Sequence, residues 1–547
     1  MPETPSSAPK RIFRPDWLFI AAWTIMALFF ASQRKYFIGD GIRHVSGMMT
    51  QSHPHLGEPR WLLFPALLFG LLKPWMLLGW IHSTAEALTF FACLSALASS
   101  LYLAGLNRWL TAAEVSPMRR TAALMAAAFC SVILTLACDT SEPMIPAACC
   151  VWILGTLAQK SKASNPSFFH RDLLISVALL SIMILIHQTV FVAFFFLPLA
   201  VGWAPLRNKS LWPWLIAIPW IVGGAILGIL AGIQHITIAD ALNRMFLLYR
   251  NPIHMTWLRS GFFKGLLLTV LGGFPQAVVS VPGMKGFLYI LSGMKQGQAN
   301  AWDQAGRMIL GFMIVWGSAL WVIRRRRWDI GIAWLSLFIL PLIWNQVYSY
   351  HKFYLLFPIL LAFAIARLPT RWGLGFALLL MGLNGFPFLH ALYEGRAWYT
   401  ASVPLYQHAS PRTYWLTSGW EPDFPYLWPG PTCALLRSLA KPSAAEDKSA
   451  LTRERTGEFT QCLLHAFCDG DTVWTDDWTP QNSEQIEKTA AFHGLSSEWI
   501  STSVWQESNP DATVALSSQR ALHSFSPALQ KSICEKLQRL QNEPPHA

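Results

Sequence analysis

Apolar runs of roughly 17–22 residues recur along the first 390 residues, each long enough to carry a helix across the ~30 Å hydrocarbon core of a bilayer. Lipid offers no partner to a backbone N–H or C=O, so runs of this kind fold as helices packed side by side. Charged residues make up only 13% of the 547, where soluble proteins carry about 25%, and hydrophobic residues make up 53%. A soluble enzyme, a disordered chain and a disulfide-knotted secreted domain are thereby excluded. The expected fold class is an α-helical polytopic membrane protein with about eleven transmembrane helices and a small C-terminal α/β domain.

Charge sets the expected topology. Residues 1–390 hold about 30 Lys+Arg against about 12 Asp+Glu, and residues 391–547 about 12 against about 18. The pI near 9.3 therefore reflects basic span ends, and nucleic-acid binding is not indicated. Residues 1–16 form a short basic cytoplasmic N-terminus with Lys10, Arg11 and Arg14, and an uncleaved first span follows. Cytoplasmic loops are enriched in Lys and Arg. Arg108/Arg119/Arg120, Lys160/Lys162/Arg171, Arg207/Lys209, Arg324 to Arg327 and Arg367/Arg371 should accordingly share the inner face. Two apolar stretches break this parity if they cross. Trp61–Trp80 contains Pro65, Lys73 and Pro74 and reads as interfacial helices; Leu266–Val281, with Gly272, Gly273 and Pro275, reads as broken or re-entrant.

The membrane domain, residues 17–390, then has two large outer loops, 33–83 and 234–304. In the first, Ile42, Val45 and Met49 recur at helical spacing after Asp40, the pattern of an amphipathic surface helix. Residues 391–547 form an extracytoplasmic domain. Thr413–Thr417 and Thr472–Thr475 read as strands, and Cys433–Ala440 and Ser483–Phe492 as helical stretches. Cys433, Cys462, Cys468 and Cys534 lie in this tail, where an oxidising compartment would allow one or two disulfides with three full pairings open.

Carboxylates at the outer ends of spans are the candidate chemistry, because an acid at a membrane boundary is costly unless it is hydrated or paired. Asp40 stands just beyond the first span; Asp139 and Glu142 stand between the third and fourth. Each has a structural alternative: Asp40 as the cap of the surface helix, and Asp139 with Glu142 as a capping box on the fourth span. The catalytic reading makes one acid a general base and the others its tuning or positioning partners. His53 and His55 form a pair in a polar loop that does not require a metal; a divalent ion is compatible with them but not indicated, and no cofactor is required.

These residues resemble the polytopic GT-C glycosyltransferases, which use polyprenyl-phosphate-linked sugars, including the aminoarabinose- and mannosyl-transferring enzymes. The resemblance lies in Gly39-Asp40-Gly41-Ile42-Arg43 with His53-Pro54-His55 and Trp61-Leu62-Leu63-Phe64-Pro65 after it. It continues in Asp139-Thr140-Ser141-Glu142-Pro143, in Ile186-His187-Gln188-Thr189, and in Tyr350-His351-Lys352-Phe353-Tyr354-Leu355-Leu356-Phe357-Pro358. It implies Asp40 as base, Asp139 and Glu142 as acidic partners, and His351 and Lys352 as ligands of the lipid-linked phosphate. His187 stands where many members carry Lys. A departing phosphate needs fixed positive charge, for which Arg43, Arg60, Arg244, Arg250 and Arg259 are further candidates.

The resulting expectation is an inverting transferase in the bacterial inner membrane. Its donor is a polyprenyl-phosphate sugar, its acceptor an extracytoplasmic lipid, glycan or protein, and its other partners are membrane lipids. An oligosaccharide polymerase or ligase, to which the basic 234–304 loop partly corresponds, is the first alternative. A transporter or flippase is the second, although no repeat is evident and the acids are terminal instead of central.

Overall fold

The computed structural model describes residues 14–35, 41–50, 64–140, 143–160, 166–186, 218–233, 237, 278–279, 306–307, 309–314, 316–317, 355, 357–407, 409–417, 427–434, 459–475, 512–517 and 520–542. The chain divides into two compact units, Met1–Ala391 and Leu392–Ala547. Among the described residues, Pro15–Gln33, Thr84–Ala112 and Thr370–Pro404 are helical, long and apolar enough to cross a membrane.

The first helix, α1 (Pro15–Gln33), opens with Pro15 in its first turn and Asp16 beside it, where a proline costs no hydrogen bond and an acid suits the helix dipole. Nineteen residues give a length of about 28 Å. Its inner edge is Ile20, Trp23, Ala27 and Ala31, at spacings of three and four, while Leu18, Ile25 and Phe29 are exposed to the surroundings. An apolar side chain exposed on a spanning helix is at home in lipid.

After α1 come α2 (Gly41–Thr50), α3 (Phe64–Leu77) and α4 (Thr84–Ala112). The short α2 starts at the residue following Asp40 and buries Ile42, Val45 and Met48, with Met49 half-buried beside them. Its amphipathic pattern is thus real, with its apolar edge ending one residue earlier than the expected Met49. Only 14 residues long, α3 spans about 21 Å, less than the hydrocarbon core, and it contains Pro74. A capping box closes the start of α4: Ser83 Oγ accepts from the Glu86 N–H at 3.3 Å, and Glu86 Oε2 accepts from the Ser83 N–H at 3.1 Å.

The chain turns back through α5 (Pro117–Ala128) and α6 (Ser131–Leu136), one apolar passage interrupted at Phe129–Cys130. An interruption frees carbonyls that lipid cannot satisfy. The Phe129 carbonyl accepts from Asn384 Nδ2 at 2.6 Å, and the same amide nitrogen donates to the Val278 carbonyl at 2.7 Å. Asn384 is buried for that purpose. The passage runs alongside α1 in the same direction: Arg120 meets Asp16, Phe129 meets Trp23 edge to face at 5.7 Å, Cys138 meets Ala27, and Asp139 meets Arg34.

Next, α7 (Met144–Lys160) lies in close contact with α4. A Cβ built on Gly105 would sit 2.6 Å from the Trp152 backbone, and one on Gly155 would overlap the Gly105 carbonyl oxygen. Two glycines thus let the backbones touch, the way membrane helices gain dispersion energy without a hydrophobic effect between them. Arg108 lies over the Trp152 ring at 3.7 Å and donates to Thr156 Oγ1 at 2.9 Å. Further helices are α8 (Pro166–Ile186), α9 (Ile218–Ile233), α10 (Phe357–Ile365) and α11 (Thr370–Gln407).

The second unit holds β1 (Thr413–Thr417), β2 (Thr432–Ala434), β3 (Thr472–Thr475), β4 (Ala512–Ser517) and β5 (Arg520–Ser524), ordered β2-β1-β3-β5-β4. The central β1 is parallel to β2 and β3, while β5 is antiparallel to β3 and β4. Here the sequence expectation needs one correction. Cys433 does not open a helix; it lies in β2, paired in register with Leu416 and disulfide-bonded to Cys462. The rest of the expected Cys433–Ala440 stretch, residues 435–440, lies outside the described residues. The Ser483–Phe492 stretch lies outside the described residues. The core is aromatic: Tyr406, Trp415 and Trp428 are mutually edge to face at 5.0–5.5 Å. A second disulfide, Cys468–Cys534, ties a single π turn (His465–Asp469) to α12 (Pro527–Asn542).

Two outcomes follow from this packing. Gly155→Leu should lower the apparent Tm of the detergent-solubilised protein, the backbone being unable to yield, by an overpacking penalty of about 1–3 kcal/mol. Gly382→Leu, with nothing within 4 Å of the added Cβ, should leave it unchanged. In the tail, replacing Cys433 and Cys462 by Ala should cost about 2–5 kcal/mol, read as earlier loss of its near-UV aromatic dichroism on heating.

Candidate functional site

The described part of the candidate site is the end of α1 that carries Arg34. Arg34 is the C-cap of α1, its backbone extended, its N–H bonded to the Ala31 carbonyl at 3.3 Å. Running in the same direction, α6 ends at Leu136, and the turn Ala137–Asp139 is pinned to α1 by Cys138 Sγ against the Ala27 carbonyl at 3.7 Å. This brings Asp139 to Arg34. Arg34 Nη2 donates to Asp139 Oδ2 at 2.9 Å, and the Thr140 N–H donates to Asp139 Oδ1 at 2.7 Å. Both partners are buried, at 6% and 2% exposure, so neither charge is left to water.

This geometry corrects one alternative. Asp139 does not cap α7, which begins at Met144, five residues on; its oxygens are turned instead to Arg34 and to its neighbour's amide. A carboxylate held by a guanidinium on one oxygen and a backbone N–H on the other is a fixed negative charge.

Of the other sequence candidates, Arg43 lies on α2, with its side chain outside the described residues. Asp40, His53, His55, Arg60, Glu142, His187, Arg244, Arg250, Arg259, His351 and Lys352 also lie outside them. Among the described residues no group of three or more His, Cys, Asp or Glu is arranged to hold a metal.

Sequence reasoning passed over Arg34, and with it a second buried pair at the other end of α1. Asp16, fully buried, accepts from Arg120 Nη2 at 2.8 Å and Nε at 3.1 Å, and Arg120 Nη1 donates to the Val115 carbonyl at 2.7 Å. A signal was available for both. A lone acid opening an apolar run and a lone arginine closing it each demand an opposite charge at the same depth.

The described helices define an integral membrane protein. Neither a family model nor a curated protein matches the chain. Among solved structures it is similar to the Archaeoglobus fulgidus oligosaccharyltransferase complexed with Zn and sulfate, at 13% identity and a TM-score of 0.44, over 85% of this chain and 69% of that one. It is also similar to ArnT from Cupriavidus metallidurans. The apo state matches at 11% identity and the undecaprenyl phosphate-bound state at 12%, each with a TM-score of 0.41 over 94% of this chain and 98% of that one.

If the Arg34–Asp139 pair carries this end of the bundle, Asp139→Leu and Arg34→Met should each destabilise by about 3–5 kcal/mol, because each strands a buried charge. The double variant, which removes both charges, should be less destabilised than either single one. Thermal unfolding of the three variants in one detergent checks this; additive losses would mean that the pair is not coupled.

Proposed function

We propose that the chain is a membrane glycosyltransferase that moves a sugar from a polyprenyl-phosphate donor to an extracytoplasmic acceptor with inversion. The observation that carries the reading is the buried Arg34–Asp139 pair, which fixes an acid of the expected second acidic motif at the end of α1 from which the chain leads on to Asp40 and α2. The two disulfides of the second unit support an oxidising, extracytoplasmic location for the tail.

In this reading the carboxylate of Asp40 takes the proton of the acceptor hydroxyl. The acceptor oxygen attacks the anomeric carbon, the bond from that carbon to the phosphate oxygen breaks, and the polyprenyl phosphate leaves with the electron pair. His351 and Lys352 hold the departing phosphate, with Arg43, Arg60, Arg244, Arg250 and Arg259 contributing positive potential around it. His53, His55 and His187 line the approach to the sugar. Asp139 and Glu142 are the base's acidic neighbours, Asp139 acting through Arg34 as a positioning group.

The test uses the full chain in lipid nanodiscs with a panel of polyprenyl-phosphate sugars, measuring saturable binding and sugar release. Asp40→Asn should retain donor binding and lose turnover by about 10²–10⁴-fold, the usual contribution of a general base. Full turnover in that variant would remove Asp40 from the role. Failure of every single-sugar donor, with lipid-linked oligosaccharide bound instead, would replace the reading by that of a polymerase or ligase.

A further inference from the structure

At the Asp16 end of α1 the structure contains a cavity of about 750 Å³ between the α4–α5 turn and the α10–α11 turn. Its lining includes Glu114, Ser116, Arg119, Arg367 and Thr370. The adjacent arginines of α5 divide sharply. Arg120 is buried and neutralised by Asp16, whereas Arg119 is exposed and its guanidinium is left to the cavity. Arg367 reaches the same cavity from the other turn.

Two helices also begin here. Ser116 is the N-cap of α5 and makes no side-chain capping bond; Thr370 is the first residue of α11. The cavity lining carries the two guanidinium-bearing residues Arg119 and Arg367 against the single carboxylate-bearing residue Glu114. Glu114 itself holds a left-handed backbone, φ 60°, the one non-glycine residue among those described that does so. Next in the chain to lining residues, Met118 is 49% and Trp372, two residues after Thr370, 64% exposed, and Arg371 lies 6.0 Å from the Trp372 ring. Cationic cavity and exposed apolar neighbours together match a phosphate joined to acyl chains.

We propose that this cavity binds the phosphate-bearing headgroup of an anionic phospholipid in the leaflet at the Asp16 end. The proposal is independent of the glycosyl-transfer reading, since the site lies at the opposite end of α1 from Arg34 and Asp139. It is tested by native mass spectrometry of the full chain in detergent, titrated with phosphatidylglycerol or phosphatidylcholine, for wild type, Arg119→Gln, Arg119→Gln/Arg367→Gln and the exposed control Arg171→Gln. Phosphatidylglycerol should bind in preference to phosphatidylcholine and weaken about fivefold per arginine removed, with the control unchanged. Wild-type and Arg119→Gln affinities that coincide, or an equal loss in Arg171→Gln, would overturn the proposal. An added arm with inorganic phosphate separates the sources. Little competition is expected of a lipid site, whereas displacement of the lipid at equal concentration would assign the cavity to a soluble phosphate and overturn the lipid assignment.

Discussion

Two buried ion pairs, one at each end of a 19-residue helix, hold the described membrane unit in register. Asp16–Arg120 and Arg34–Asp139 both join α1 to the passage 117–139, so that passage is fixed against α1 at two points about a helix length apart. Between them Trp23 fills the middle: its ring meets Phe129, and its Nε1 donates to Ser99 of α4 at 2.9 Å. Thr24 adds a bond to Ser100 at 2.8 Å. In a bilayer, where apolar contact between helices gains little over contact with lipid, such polar contacts and close small-residue packing decide which helices become neighbours. The interruption at Phe129–Cys130 is tolerated for the same reason, since Asn384 supplies the donor that lipid lacks.

The arginines show why counting charge per loop is a poor guide to roles. Arg108, Arg119 and Arg120 lie close together in sequence, yet Arg108 stacks on Trp152, Arg120 is buried against Asp16, and Arg119 faces the cavity. One residue along a helix turns a side chain by about 100°. That rotation separates a buried structural charge from an exposed one.

Features with a local period were legible in the sequence, and those that depend on pairing across the fold were not. The α2 pattern gave Ile42 and Val45 correctly because burial of a short helix follows its 3.6-residue repeat; Met48 displaced Met49 at the third position because the true contact face is slightly rotated. Thr413–Thr417 and Thr472–Thr475 emerged as strands at their observed bounds. Cys433 failed because its conformation is set by Cys462, 29 residues away, and by a parallel neighbour. Asp139 was recognised as a boundary acid, but its partner lies 105 positions earlier, beyond the reach of any spacing rule.

That partner also constrains what Asp139 can do. Its two oxygens already accept from Arg34 and from Thr140, and these bonds hold the carboxylate where it is before any substrate arrives. A group fixed in this way needs no reorganisation when charge develops nearby, which is the property that makes preformed dipoles and charges effective in a water-poor site. A proton acceptor has the opposite requirement, an oxygen open to the incoming hydroxyl. For that reason the function proposed above assigns the base to the loop beyond α1 and gives Asp139 the part of a fixed charge.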